Sequence, residues 1–231
     1  MTATPPKKSD LGVRTVSAVV MVAVAGTALW LGGSVWLAFV GAVAAGVLWE
    51  WRGLVYAMTP SLAARIGWMV LGVIYIGVAA AMLMALRRYG MNSVLQLIGA
   101  VIATDIGAYF TGRTLGGPKI APKVSPSKTW SGLLGGIVAA ALVLLIMRPG
   151  GAHADDFPWE WQTRTALIGG ALIAITAQAG DFFESWMKRR AGVKDSGQLI
   201  PGHGGLFDRV DGLLAVCFVL GIFIIASRVV G

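Results

Sequence analysis

The chain alternates long apolar runs with short polar breaks, and seven of the runs have the length of a membrane-spanning helix. A helix needs about 20 mostly apolar residues to cross the hydrocarbon core of a bilayer. Turn-forming residues such as Gly33-Ser34, Thr59-Pro60 and Pro149-Gly150 separate the runs. The pattern predicts an all-α, polytopic integral membrane protein with about seven transmembrane helices, whose cytoplasmic polar loops form a site. The predicted spans lie near Val13–Leu31, Val35–Tyr56, Ile66–Leu86, Ser93–Phe110, Trp130–Met147, Thr165–Phe183 and Leu213–Val230.

The composition agrees with this class of protein. Hydrophobic residues make up 56% of the chain and charged residues only 13%, whereas a soluble domain carries roughly a quarter charged residues. The net charge of +8 indicates membrane topology and phosphate binding. Since no long Lys/Arg tract with interleaved aromatics occurs, we expect no nucleic-acid partner. Cys217 is the single cysteine and lies in an apolar run, which is typical of a small buried hydrophobe.

The distribution of charge predicts the orientation in the membrane. Three basic segments (the N-terminus, 112–128 and 185–211) contrast with the acidic segment His153–Glu160. By the positive-inside rule, we expect the N-terminus and the two basic loops, 112–128 and 185–211, to be cytoplasmic. The predicted location is a bacterial-type inner membrane. Arg87 and Arg88 then lie outside, against the rule. A cleaved signal peptide is the alternative for the first run, but a second span follows after a minimal turn.

The sequence predicts one membrane-embedded domain over residues 1–231. Within it, residues 1–90 form N-terminal membrane helices and residues 91–231 form the catalytic membrane region. The polar residues that point to chemistry fall in this second part. They form three clusters.

The first cluster begins with Asp105, inside the predicted fourth span. A carboxylate within a span is by default a candidate functional residue, although a structural ion pair with another helix is the alternative. Tyr109 lies four residues on, and therefore on the same helix face. The glycines Gly112, Gly116 and Gly117 predict a loop after this span.

Ser127 and Lys128 complete the first cluster at the predicted start of the fifth span. A hydroxyl, an ammonium and free backbone N–H groups at a helix N-terminus form a phosphate-binding site. An ordinary N-cap beside a lysine that reaches the interface accounts for the same residues equally well.

The second cluster places Asp181, Glu184, Ser185 and Lys188 on one stripe if the sixth helix continues to Lys188. Two acids on one face are placed to hold Mg²⁺, which uses few protein carboxylates and leaves positions for phosphate oxygens. The alternative is a polar helix face with a Glu184–Lys188 ion pair.

The third cluster sets Asp208 and Asp211 at the start of the last span, where the helix dipole favours negative charge. Helix capping explains one of these acids well but two acids less well. His203 is flanked by glycines. It could donate a hydrogen bond to a phosphate oxygen or could equally be a structural residue of a turn. Glu50, between Trp49 and Trp51, is interpreted as structural and is left out of the site.

The residues from Ser185 to Asp211 resemble the signature of the phosphatidate cytidylyltransferases (CDP-diacylglycerol synthases). The segments TDIGAYFTGR, SPSKTW and GDFFES resemble family segments in the family's order, so the resemblance runs from Thr104 to the C-terminus. Ser131 departs from the pattern, since many relatives carry an acid or amide there. The matching signature residues are Ser185, Lys188, Arg189, Lys194, Asp195, Pro201, His203, Gly204, Gly205, Asp208, Arg209 and Asp211.

The resemblance implies a reaction between CTP and phosphatidic acid at the lipid bilayer, giving CDP-diacylglycerol and pyrophosphate. It implies Mg²⁺ as the cofactor, with two metal ions, the second of which could be monovalent. The glycine-rich spans leave room for a homodimer. The implied catalytic residues are Asp211, Asp208, Lys188 and Arg209; the metal ligands are Asp181, Asp208, Asp211 and Asp105; and the substrate-binding residues are Ser127, Lys128, Ser185, Arg189, Lys194, His203, Gly204 and Gly205.

Two other functions remain open at this point. One is a cytidylyltransferase that acts on a different lipid phosphate. The other is a transporter of an anionic metabolite, although transporters often show paired repeats and broken helices, and this chain shows no internal repeat.

Overall fold

The computed structural model describes residues 11–147, 159–202 and 204–230, and these form a bundle of α-helices. A short 3₁₀ turn (Arg87–Tyr89) joins the third helix to the fourth, and a small antiparallel hairpin joins the fourth to the fifth. The hairpin strands are β1 (Lys119–Ala121) and β2 (Ser125–Thr129). The helices are α1 (Leu11–Leu31), α2 (Gly33–Met58), α3 (Leu62–Leu86), α4 (Met91–Thr114), α5 (Trp130–Ile146), α6 (Trp159–Ala191) and α7 (Phe207–Val230).

The prediction of an all-α membrane protein is confirmed, and six of the described helices are long and apolar enough to cross a membrane. The exception is α5, which has 17 residues. At 1.5 Å per residue it is about 26 Å long, slightly less than the ~30 Å hydrocarbon core. The sixth helix is longer than the apolar run predicted, because its polar C-terminal turns continue to Ala191.

Two local predictions around the hairpin are wrong. Gly112 is part of α4, which continues to Thr114. The fifth helix begins at Trp130, so Ser127 and Lys128 belong to β2 and do not form a helix N-terminus. The reason is that Thr129 takes the N-cap position, where its Oγ1 accepts a hydrogen bond of 3.1 Å from the Gly132 N–H.

Helices α4 and α5 pack closely because small residues face each other between them. A Cβ added at Gly107 would stand 2.7 Å from the Ala139 Cβ, and one added at Gly132 would stand 2.9 Å from the Ala108 carbonyl oxygen. Small residues allow this approach of two helix backbones within a membrane. The packing holds α4, which carries Asp105, against α5, and both helices contact α6.

An aromatic core ties α2, α3, α6 and α7 together. Trp51 is fully buried, and its Nε1 donates to the Trp68 carbonyl at 2.9 Å. Its ring centroid lies 5.8 Å from those of Phe183 and Phe207. Since these two phenylalanines directly precede Glu184 and Asp208, the core sets the position of both carboxylates.

Arg87 has a structural partner at the end of α1. Its Nε donates to the Leu29 carbonyl at 3.0 Å, next to the turn at Gly32. Carbonyls in the last turn of a helix lack intrahelical donors and carry the negative end of the dipole, so a cation is stabilised there. This contact with the end of α1 explains the position of Arg87, although the positive-inside rule disfavours an arginine on the predicted outer side.

Candidate functional site

The centre of the site is a group of three carboxylates on two helices. Asp181 and Glu184 project from α6 and Asp211 projects from α7. One oxygen atom from each lies within 4.8 Å of the others. The predicted stripe on α6 is confirmed, because the helix continues past Lys188. We call Asp181, Glu184 and Asp211 the acidic cluster.

Two lysines neutralise part of the charge of this cluster from opposite sides. The Lys128 Nζ lies 2.5 Å from the Asp181 Oδ2. The Lys188 Nζ lies 2.6 Å from both the Glu184 Oε2 and the Asp208 Oδ1. The Glu184–Lys188 pair that the sequence offered as a structural alternative is therefore present. Because Glu184 is almost wholly buried, this pair differs from an ordinary solvated ion pair on a helix surface.

Asp208 is fully engaged by the protein. Its Oδ1 binds Lys188, and its Oδ2 accepts hydrogen bonds from the Ser196 N–H, the Ser196 hydroxyl and the Gly205 N–H at 2.9–3.0 Å. Asp208 thus stabilises the loop that precedes α7 and holds the Lys188 ammonium group in place. In the part of the chain that the structure describes, Glu184, which was not among the predicted metal ligands, joins Asp181 and Asp211. The predicted role of Asp208 as a metal ligand stays a prediction.

A cavity of about 310 Å³ opens on the Lys188 side of the cluster, and we call it cavity A. It gathers several residues of the signature, four of them cations. Phosphate groups bind where arginine and lysine side chains converge in this way. The lining residues are Ser185, Lys188, Arg189, Lys194, Asp195, Asp208 and Arg209.

A second cavity of about 380 Å³, cavity B, lies on the Lys128 side, between α4, the hairpin and α6. Asp105 and Tyr109 both line it, which confirms that they share a helix face. Ser127 and Lys128 line it as well. The hairpin therefore brings these two residues to a polar cavity although they do not begin a helix.

Gln178 lines cavity B and was missed by the sequence analysis. Its side chain is 5% exposed, and its Oε1 has no hydrogen-bond partner within the described structure. An unpaired buried acceptor is costly, so Gln178 is a candidate contact for a hydrogen-bond donor that enters cavity B. The signal in the sequence was an amide inside an apolar run, one turn before Asp181.

The glycines of the signature shape the loop before α7. The Gly205 N–H donates to Asp208, and a Cβ there would collide with the Ser196 hydroxyl. Gly204 has a φ of +83° and its carbonyl accepts a hydrogen bond of 3.1 Å from the Ile200 N–H. His203 lies outside the described residues. The roles of these residues in substrate binding remain predictions.

The donor set of the acidic cluster fits a hard divalent cation. Carboxylate oxygens are the ligands that Mg²⁺ and Ca²⁺ take. The Glu184 Oε1 is buried without a hydrogen-bond partner in the described structure, which is the condition that a bound cation relieves. Asp105 lies in cavity B and is separate from this group of three.

Apolar helices around a polar site of carboxylates and cations define an integral membrane protein with a charged site between its helices. The model of the Cytidylyltransferase family matches residues 57–227, and the chain belongs to that family. It is 45% identical over 152 residues to a phosphatidate cytidylyltransferase of Brucella suis, covering 64% of this chain and 54% of the relative.

A phosphatidate cytidylyltransferase of Rickettsia bellii is 39% identical over 150 residues, covering 64% of each chain. One of Haemophilus influenzae is 42% identical over 130 residues, covering 55% of this chain and 43% of the relative. The matched part thus spans about half the length of these relatives.

Proposed function

We propose that this protein is a phosphatidate cytidylyltransferase, which converts CTP and phosphatidic acid into CDP-diacylglycerol and pyrophosphate. The observation that carries the proposal is an acidic cluster, in which Glu184 is buried and Asp181 and Asp211 are partly exposed, between two cation-lined cavities. The names of the relatives, at 39–45% identity, support the same reaction. A membrane-embedded site suits a substrate whose acyl chains stay in the bilayer.

The reaction is an attack by a phosphate oxygen of phosphatidic acid on the α-phosphorus of CTP. A new P–O bond forms there, and the bond from the α-phosphorus to its bridging oxygen breaks, so pyrophosphate leaves with the bonding electrons. A phosphomonoester has a second pKa of about 6 and is largely a dianion at pH 7. The nucleophile therefore needs no strong general base, and the task of the protein is to bring polyanions together.

Cavity A is the proposed site for the triphosphate of CTP. Lys188, Arg189 and Arg209 line it and supply positive charge where the leaving pyrophosphate develops negative charge. Asp208 acts there by holding Lys188 in place, at 2.6 Å. Arginine is suited to bidentate contacts with phosphate oxygens.

Cavity B is the proposed site for the lipid phosphate. Lys128 and Ser127 line it beside Asp105, and Tyr109 is exposed at its edge. The neighbouring faces of α4 and α5 expose Phe110, Trp130 and other apolar side chains suited to acyl chains. The lipid headgroup would thus reach Lys128 without leaving the membrane.

Asp181, Glu184 and Asp211 are the proposed ligands of Mg²⁺. When bound, the ion would neutralise phosphate oxygens and polarise the α-phosphorus. The three carboxylates need a cation because only two lysines face them in the described structure, and one oxygen of Glu184 is left without a partner. A second metal ion, which could be monovalent, and formation of a homodimer remain predictions from the sequence.

The proposed topology has seven spans, with the N-terminus and both cavities at the cytoplasmic face of a bacterial inner membrane. The proposal counts α5 as one of the spans. Local thinning of the bilayer compensates for its slightly short length at modest cost. The support for this topology is the ion pair between Lys128, in the segment 112–128, and Asp181, in α6 shortly before the segment 185–211. Two crossings, by α5 and α6, bring both segments to the same face, whereas a single crossing would not.

The test is transfer of label from α-³²P-CTP into chloroform-soluble product by the purified full chain in detergent. We expect label only with phosphatidic acid and Mg²⁺ present, loss of activity with EDTA, and recovery when Mg²⁺ is restored. Activity that persists without a divalent metal would contradict the metal assignment.

The same assay separates the proposal from its alternatives. If labelled lipid appears only when a different lipid phosphate is supplied, that lipid is the acceptor in place of phosphatidic acid. A folded protein that neither binds CTP nor labels lipid would overturn the proposal, and counterflow of an anionic metabolite in proteoliposomes would then test the transporter hypothesis.

A further inference from the structure

Glu50, in α2, is one of the most deeply buried charged side chains that the structure describes, with 3% of its surface exposed. Its Oε1 accepts a hydrogen bond of 2.9 Å from the Leu206 N–H. Its Oε2 accepts a bond of 2.7 Å from the Phe207 N–H, and it shares the single hydrogen of the Ser196 hydroxyl, 3.0 Å away, with the Asp208 Oδ2. Each donor lies about 150 residues away in the chain, in the segment that carries the signature. A buried carboxylate is retained only where such donors replace its hydration.

The three hydrogen bonds fix two separate points of this segment at once. Leu206 and Phe207 form the entry into α7, where backbone N–H groups lack intrahelical partners. Ser196 lies before the glycines of the loop. The carboxylate also packs closely against Gly197, since a Cβ added there would collide with the Glu50 Oε1.

Ser196 connects Glu50 to Asp208. Its Oγ lies 3.0 Å from the Glu50 Oε2 and 3.0 Å from the Asp208 Oδ2, while its backbone N–H donates to the same Asp208 oxygen at 2.9 Å. Asp208 in turn holds the Lys188 Nζ at 2.6 Å. A continuous set of polar contacts therefore leads from α2 to the cation of cavity A.

We propose that Glu50 is a positioning residue of the site: it fixes Ser196 and the start of α7 so that Asp208 directs Lys188 into cavity A. Glu50 touches neither cavity, so it acts through these residues and has no contact with the reacting atoms. The expected effect of Glu50 on CTP binding rests on the function proposed above. Its expected effect on the position of the loop rests on the hydrogen bonds alone.

The first measurement is hydrogen exchange of the full chain in detergent, comparing the wild type with Glu50→Gln and Val40→Ala. The amide of glutamine retains one acceptor oxygen and points an N–H₂ group at donors. Val40 is equally buried in α2 but packs in a different cluster, so Val40→Ala is a control for general destabilisation. We expect the Leu206 and Phe207 amides to exchange about tenfold faster in Glu50→Gln only. Exchange equal to that of Val40→Ala would overturn the proposal.

The second measurement is the KM for CTP and for the lipid. A general loss of folded enzyme lowers kcat and leaves both KM values unchanged, whereas a misplaced Lys188 raises the KM for CTP. We expect about a tenfold rise for CTP and none for phosphatidic acid in Glu50→Gln. A fall in kcat alone would contradict the positioning role.

Ser196→Ala keeps the proposal testable if Glu50→Gln does not fold, because it removes only one hydroxyl. We expect Ser196→Ala alone to raise the KM for CTP and, where Glu50→Gln folds, no further rise when both substitutions are combined. Independent, additive effects would contradict the connection through Ser196. If the wild type makes no labelled lipid, the proposed function fails while the exchange measurement still decides the role of Glu50.

Discussion

At the scale of single residues, the site depends on the two lysines that form ion pairs with its carboxylates in the described structure. Lys188 serves both Glu184 and Asp208 at 2.6 Å, and Lys128 serves Asp181 at 2.5 Å. The Asp211 Oδ1 accepts a hydrogen bond of 2.8 Å from the N–H of the next residue, Gly212. The remaining negative charge is what a divalent cation would neutralise, which makes Asp211 and Lys188 the informative positions.

Asp211→Asn tests the acidic cluster. We expect a folded protein whose turnover falls by roughly 10²–10³-fold, because an amide oxygen is a weaker ligand and adds no charge. The measurement is the lipid-labelling assay with a melting curve of the same sample. Glu160→Gln, an exposed acid at the opposite end of α6, is the control and should keep full turnover. Near-normal turnover of Asp211→Asn would remove Asp211 from the site.

Lys188→Met tests whether Lys188 also stabilises the fold. Removing the cation leaves Glu184 and Asp208 facing each other in a buried place, and breaking such a pair costs about 3–5 kcal/mol. We therefore expect a lower Tm together with loss of activity. Adding Asp208→Asn should recover part of the Tm but no activity. If the Tm of Lys188→Met equals that of the wild type, the ion pairs contribute nothing to stability.

At the scale of elements, small residues decide how close α4 comes to α5. The apolar periodicity of each helix predicted that it would form but not which helix it would pack against. The observed approach of α4 to α5 depends on Gly107 and Gly132. It places Asp105 and the hairpin residue Lys128 around one cavity.

Gly107→Ala tests this packing. The added methyl group would meet the Gly135 carbonyl oxygen at 2.5 Å, so we expect a loss of about 1–3 kcal/mol and a lower Tm in detergent. Gly53→Ala, in α2, is the matched control because its Cβ would meet nothing within 4 Å. We expect that control to be neutral or slightly stabilising. Equal Tm values for the two variants would show that α4 and α5 do not need this close contact.

At the scale of the whole molecule, the N-terminal helices participate in the site. The division into residues 1–90 and 91–231 remains a prediction, and the hydrogen bonds of Glu50 cross it. The aromatic core around Trp51 crosses it as well. The helices before residue 91 therefore support the geometry of the signature loop in addition to anchoring the chain.

The proposed orientation is testable because Cys217 is the only cysteine and is buried. In a Cys217→Ala background, Tyr89→Cys should react with a membrane-impermeant maleimide in intact cells. Lys123→Cys, in the exposed turn of the hairpin, should react only after permeabilisation. The reverse pattern would place the cavities outside the cytoplasm, and labelling of both in intact cells would contradict an odd number of crossings between them.

The sequence by itself determined the class of protein, the approximate helix positions and the chemistry of the polar clusters. These features are local: apolar length decides whether a helix can cross a membrane, and a carboxylate in a span is visible at once. The stripe of Asp181, Glu184 and Lys188 also follows from spacing, because a helix repeats every 3.6 residues.

Only the tertiary structure decided which of these groups meet. It directed the Asp208 carboxylate toward Lys188 and toward backbone N–H groups of the loop from Ser196 to Gly205. It added Glu184 to the acidic cluster and Gln178 to cavity B. It also gave Glu50 its partners in a loop far along the chain. Such contacts depend on the crossing of helices distant in sequence, and helical periodicity carries no information about which helices cross.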